Sequence, residues 1–229
     1  MHGRPFLENH VANPAEPLPT DPRAERRAQL LGIARRRFVE DGFGGTSVSA
    51  IVREAGVAQG TFYLYFDSKQ AILAELRREV FRTYAASLAQ AARSPGPADE
   101  RLVDVVVTMA RSVGGHLALE RVFRQAASAH ELELAALEGR ARLAAMAAEL
   151  LEREEELDVF GSAPGVVAEL LVTLFDTVLY EAWAYRRPAP VSETVRASLR
   201  LVLRGLGVDG ARLEELLTRV PSALHEEAE

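Results

Sequence analysis

Between Thr46 and Lys69 stands a run of side chains suited to hydrogen bonding on a nucleic-acid surface. Gln59 carries a donor and an acceptor on one amide, the pair that matches an adenine edge in the major groove. Thr61 offers a hydroxyl for a base edge and a methyl for thymine. Tyr63 and Tyr65 carry hydroxyls that reach phosphate oxygens. Lys69 adds an ammonium at a helix start, where free backbone N–H groups also favour phosphate. Gly60 and Leu64 share the outward face with these residues. Phe62 and Phe66, between them, read as core.

No comparable set exists for catalysis or metal binding. His116 and Glu120 lie four residues apart and His130 adjoins Glu131, but neither pair has a third ligand nearby. No nucleophile elbow, Walker loop or dinucleotide fingerprint occurs. The acids Glu152, Glu154, Glu155, Glu156 and Asp158 read as a solvated helix end rather than a Ca²⁺ or Mg²⁺ site. The expectation is a protein that is not an enzyme and that holds no cofactor or metal.

The elements that must position the polar run are short helices. Val48, Ile51, Val52 and Ala55 recur at core-facing spacing, so a helix is expected from Thr46 or Ser47, as cap, to Glu54. Gly56 makes the turn, and a second short helix is expected over about 59–65. Upstream, Leu30, Leu31, Ala34 and Phe38 form one apolar face, ended by Gly42 and Gly44-Gly45. Downstream, Ser68 caps a long helix to about Arg93, broken by Ser94-Pro95-Gly96-Pro97. Two short helices at a sharp angle, the second free to enter a groove, make a helix-turn-helix.

The stretch Thr46 to Leu73, T-S-V-S-A-I-V-R-E-A-G-V-A-Q-G-T-F-Y-L-Y-F-D-S-K-Q-A-I-L, resembles the signature of the TetR family of bacterial repressors. The close match covers about Arg26 to Leu76. The resemblance implies that Ser47 and Ser49 contact phosphate or bases, and Thr46 is grouped with them. It implies that Gln59, Gly60, Thr61, Tyr63 and Leu64 belong to the recognition helix, and that Tyr65 and Lys69 touch phosphate. Two positions depart from the family: Gln59 stands where many members carry Lys, and Leu64 where many carry His. Both remove a cation, so a shallow dependence of affinity on salt is expected.

The bulk numbers fit this reading. The chain has 229 residues, 48% of them apolar, and no cysteine. No apolar run is long enough to span a membrane and no signal peptide is apparent, so a cytoplasmic protein with no membrane partner is expected. Net charge is -6, but it is unevenly spread. Asp21 to Glu79 holds ten basic and eight acidic residues, whereas Gly96 to Glu229 holds 14 and 23. A mildly basic head on an acidic body suits contact with DNA at one end and argues against an architectural protein that coats DNA.

The expected fold class is all-α. A disordered leader (1–22) precedes an N-terminal three-helix helix-turn-helix head (23–70). A long helix joins the head to a C-terminal helical ligand-binding and dimerisation domain (71–229). Helices are expected there at about 99–113, 117–127, 131–157, 163–185, 192–206 and 209–219.

One helix-turn-helix reads few base pairs, so a homodimer on a palindromic double-stranded operator is expected. The interface is expected on the helices at about 163–185 and 192–206, the second through Val195, Leu199, Val202, Leu203 and Leu206. An apolar pocket for a small hydrophobic or amphipathic effector is expected among the central helices. Its candidate residues are Tyr84, Met109, His116, Phe123, Arg124, Met146, Phe175, Asp176, Leu179 and Trp183. The function so expected is a ligand-responsive repressor, released from its operator when the effector tilts the long helix.

Overall fold

The computed structural model describes residues 21–126, 128–153, 163–184 and 190–224. The proposed leader up to residue 20, the acids at 154–158, and the side chain of Trp183 lie outside the described residues. Among the described residues every regular element is a helix.

The head begins with α1 (Pro22–Gly45), where the Asp21 carboxylate accepts from the Arg23 amide and Pro22 supplies a first-turn φ. Gly42 interrupts this helix at φ 73°, a left-handed conformation that glycine adopts freely, so the last turn kinks away. Next come α2 (Val48–Glu54), capped by Ser47, and α3 (Gln59–Tyr63), which ends two residues before the sequence suggests. Gly56, at φ 66°, turns the chain between them. Ile51 and Phe62 are fully enclosed with Leu30, Ala34 and Phe38 of α1, so both short helices are pinned by their inner faces.

Ser68 caps α4 (Lys69–Ala91), and then follow α5 (Ala98–Gly115) and α6 (Leu117–Gln125), bent 72° from one another. The rest is α7 (His130–Arg153), α8 (Pro164–Ala184), α9 (Val191–Gly205) and α10 (Gly210–Leu217). The most extensive packing is α4 on α7 and α7 on α8. The α4–α7 crossing is close because Gly139 has no side chain, and a Cβ there would come within 2.2 Å of the Phe81 ring carbons. The head meets the body through α4 and through α1 on α6. One continuous apolar core runs from Leu30 in α1 to Leu224 beyond α10.

No single helix among the described residues is long and apolar enough to cross a membrane. Arg212 and Arg219 of the C-terminal segment bind Asp99, Glu100 and Asp104 on the first turns of α5. The Asp99 carboxyl is held below the usual carboxylate range, chiefly by its hydrogen bonds from Arg212.

Candidate functional site

The outer surface of α2 and α3 brings most of the expected polar residues together. Ser47, Ser49, Gln59 and Gly60 are exposed, and Thr61 is half-buried. Tyr63 is 50% and Leu64 70% exposed, so both stand clear of the core that holds Phe62 and Phe66. The Phe62 ring meets Tyr63 edge-on at 5.4 Å and Phe66 at 5.7 Å, which fixes how the base of α3 sits. The Ser47 hydroxyl accepts from the Ala50 amide, so it caps α2 while remaining at the surface.

Two expected contact residues have inward duties instead. Thr46 is only 2% exposed, and its hydroxyl donates to the carbonyls of Arg37 and Gly42. It locks the end of α1, with its side chain turned inward. Lys69 donates to the carbonyls of Phe43 and Thr46 at 2.6 and 2.8 Å, with its ammonium 4.2 Å from the Phe43 ring centre. Burial holds its pKa below the ordinary lysine value. Its charge is spent on the corner between α1 and α2. Tyr65 is half-buried against the core, with the Arg23 guanidinium 6.0 Å from its ring centre.

Sequence reasoning passed over Arg53. It follows Ser49 by one helical turn, is exposed, and has no ion pair among the described residues. The neighbouring arginines are occupied: Arg35 pairs with Glu79, Arg36 with Glu54, and Arg37 with both Glu54 and Asp41. The i, i+4 step from Ser49 was the signal that could have found Arg53.

The body contains a second candidate site. An apolar cavity of about 100 Å³ lies between α4, α5, α7 and α8. Of the expected pocket residues, Tyr84, Met109, Met146, Phe175, Asp176 and Leu179 line it. Phe123 and Arg124 line an adjoining space of about 200 Å³, which shares Arg140 and Asp176 with the first. His116 lines neither: its ring meets Tyr84 edge-on and its Nδ1 lies 2.9 Å from the Ser112 carbonyl. Arg140 was missed, because nothing in sequence spacing distinguishes it from the surface arginines of α7.

Beneath the cavity sits a buried polar cluster. Arg77 and Glu120 are paired at 5% and 2% exposure. The Tyr84 hydroxyl donates to the other Glu120 oxygen at 2.9 Å. The Arg77 guanidinium lies 4.6 Å from the Phe81 ring centre and 4.8 Å from that of Phe123. Burial first, and the Glu120 charge second, push the Tyr84 hydroxyl far above its ordinary pKa. It stays a neutral donor that keeps its proton and directs it at the Glu120 carboxylate.

The outer stripe of α8 and α9 differs from expectation. Val195, Leu199, Val202, Leu203 and Leu206 are all buried inside the protomer core and cannot form an intersubunit seam. The exposed apolar residues are Val166 and Leu170 on α8 and Leu201 on α9, at 55%, 66% and 69% exposure. Small residues extend the stripe: Thr173 and Thr177 on α8, and Ala197 on α9.

A three-helix head with an exposed polar helix pair, carried on an all-α body, is the architecture of helix-turn-helix regulatory proteins. Residues 30–76 match the family model described as "Bacterial regulatory proteins, tetR family". Over these residues, which include the whole of α2 and α3, the chain is similar to that family.

An HTH-type transcriptional regulator of Bacillus subtilis, YdgC, is 52% identical over 52 residues, 23% of this chain and 27% of its own length. The fatty acid metabolism regulator protein of the same organism is 33% identical over 78 residues, 34% of this chain and 40% of its own. The chain thus spans well under half of these curated relatives. The crystal structure of a TetR-like transcriptional regulator from Rhodococcus sp. RHA1 superposes with TM-score 0.59 at 26% identity, covering 83% of this chain and 100% of that one.

Proposed function

We propose that this protein is a cytoplasmic, homodimeric repressor that binds a palindromic operator and leaves it when a small apolar or amphipathic effector enters the body. The observation that carries the reading is the pairing of two features along α4. Its N-terminal end follows directly on the exposed polar surface of α2 and α3, and its C-terminal half lines an apolar cavity. On this reading residues 23–70 act as the DNA-binding head and 71–229 as the effector and dimer domain. Residues 1–22 form a leader.

Gln59, Gly60, Thr61, Tyr63 and Leu64 face the major groove, and Ser47, Ser49, Tyr65 and Arg53 reach phosphates. Two copies pair through the outward stripe of Val166, Leu170 and Leu201, so that their heads fall one helical turn of DNA apart or a multiple. The effector cavity is the space lined by Tyr84, Met109, Met146, Phe175, Asp176 and Leu179. A ligand there shifts α4 and changes the distance between heads. The likeness to a regulator of fatty acid metabolism supports an apolar effector.

Footprinting of the full chain on genomic DNA tests this. Protection of a few palindromes is expected, with loss of protection in the double variant Gln59→Ala, Tyr63→Ala. Diffuse protection without palindromes would refute the reading. A monomer in light scattering, or a dimer unchanged by Leu170→Glu and Leu201→Glu, would remove the dimer from it.

A further inference from the structure

The cavity in the body and the space beside it have different characters, and the residues between them decide what kind of molecule fits both. The cavity walls are apolar apart from Tyr84, Arg140 and Asp176. The Tyr84 hydroxyl already donates to Glu120, so it offers a ligand nothing. Polar recognition is left to the Arg140–Asp176 end, where the cavity joins the second space.

Two guanidiniums converge there on one carboxylate. Arg124 and Arg140 each stand 3.7 Å from the same Asp176 oxygen. Both distances exceed hydrogen-bond length, so Asp176 leaves donors open on both guanidiniums, which also reach solvent at 41% and 38% exposure. Arg124 also lies 4.2 Å from the Tyr180 ring centre, which fixes it at the rim. Arg77, the third arginine of this space, is matched by Glu120. Glu133, the other acid of the second space, is exposed on the first turn of α7. Solvent screens an exposed acid more strongly than a half-buried one.

We infer that the effector is an amphipathic anion, its apolar tail in the cavity and its carboxylate or equivalent head between Arg124 and Arg140. A second acceptor there completes a bidentate pairing that Asp176 alone leaves unfilled. The tail is short. A cavity of 150 Å³ seats a benzene ring, so one of about 100 Å³ seats roughly four carbons before its walls move. Met109 and Met146 are the wall residues that give way most readily to a longer tail.

This inference rests on the effector-cavity reading above, and the test separates the two. Calorimetry on the full chain compares hexanoate, hexan-1-ol and hexylamine, which share a six-carbon chain and differ in head charge. Hexanoate is expected to bind about tenfold more tightly than the other two. Arg140→Gln and Arg124→Gln should each erase most of that preference. Asp176→Asn, which removes the competing carboxylate, should tighten hexanoate and leave hexan-1-ol unchanged, a gain that a merely structural role would not produce.

Equal or tighter binding of the alcohol or amine overturns the anion assignment while leaving an effector cavity in place. Binding of none of the three overturns the assignment too. Operator footprints are scored separately, so DNA recognition stands or falls on its own result.

Discussion

Head and body each hold a cation beside aromatic rings, part-buried Lys69 in one and buried Arg77 in the other, and they satisfy it in opposite ways. In the head, the Lys69 ammonium is held by two backbone carbonyls, those of Phe43 and Thr46. In the body, Arg77 is held by the Glu120 side chain, which also accepts from Tyr84. Backbone carbonyls move only if the chain moves, so the first cluster freezes the angle between α1 and α2. The second cluster joins side chains of α4 and α6 and lies against the candidate effector cavity through Tyr84. It ties two helices together without fixing either backbone. The contrast separates a part that must stay rigid to read a groove from a part that can hold two arrangements.

The most severe way to break this contrast is Glu120→Ala. It strands the buried Arg77 charge, and a loss of about 3–5 kcal/mol in urea unfolding is expected. The double variant Arg77→Met, Glu120→Leu should recover most of that loss while altering effector response. If the double variant is as unstable as the single, the cluster is a structural keystone and not a replaceable tie.

Lys69→Met tests the other cluster. Loss of two charge-assisted hydrogen bonds should cost about 1.5–3 kcal/mol, and operator affinity should fall with it because the base of α2 loosens. Unchanged stability with weakened DNA binding would return Lys69 to the phosphate-contact role that the sequence suggests.

The α4–α7 crossing gives a somewhat smaller effect. Gly139→Ala forces a methyl group against the Phe81 ring, and overpacking of about 1–3 kcal/mol is expected. Phe81→Leu in the same chain should relieve it, measured by thermal unfolding.

The reading surface supplies a gentler test. Gln59→Lys with Leu64→His should steepen the plot of log affinity against log salt, by up to about 0.9 for each added phosphate contact. A slope no steeper than that of the unmodified chain would show that these two positions do not approach phosphate.

The smallest effect is acid sensitivity at the junction of α5 and the C-terminal segment. Asp99 is depressed by Arg212, so its contribution is full above the ordinary carboxylate range and is lost as pH falls through its folded value. Arg212→Gln should therefore lower stability at neutral pH and converge with the parent chain in acid. A gap of the same size at both ends of the titration would mean that the pair does not set Asp99.

Much of the fold is legible from residue spacing alone. The caps Asp21, Ser47, Ser68 and Asp209 all accept from first-turn amides, and Gly42, Gly56 and Gly207 all take positive φ near helix boundaries. These are local effects, decided within about four residues, so local sequence carries them. The period of apolar residues sorts Phe62 from Tyr63 just as well.

The exceptions share a cause. Thr46 and Lys69 carry groups typical of phosphate contacts, yet their partners are carbonyls 4 to 26 residues away. The five apolar residues of α9 and its C-cap expected at a subunit seam are instead covered by the protomer's own helices.

From sequence alone came the helices, their order, and the small polar face centred on Gln59, Thr61 and Tyr63. That face is a property of one short segment, and a resemblance over residues 30–76 is enough to recognise it. Only the tertiary structure decided which cations are spent inside the molecule and which acids face which arginines. It also decided where α4, α5, α7 and α8 leave a space between them. Arg77, Arg124 and Arg140 are equivalent letters in the sequence. Burial and the distance to Glu120 or Asp176 make one a structural tie and the other two the rim of a cavity.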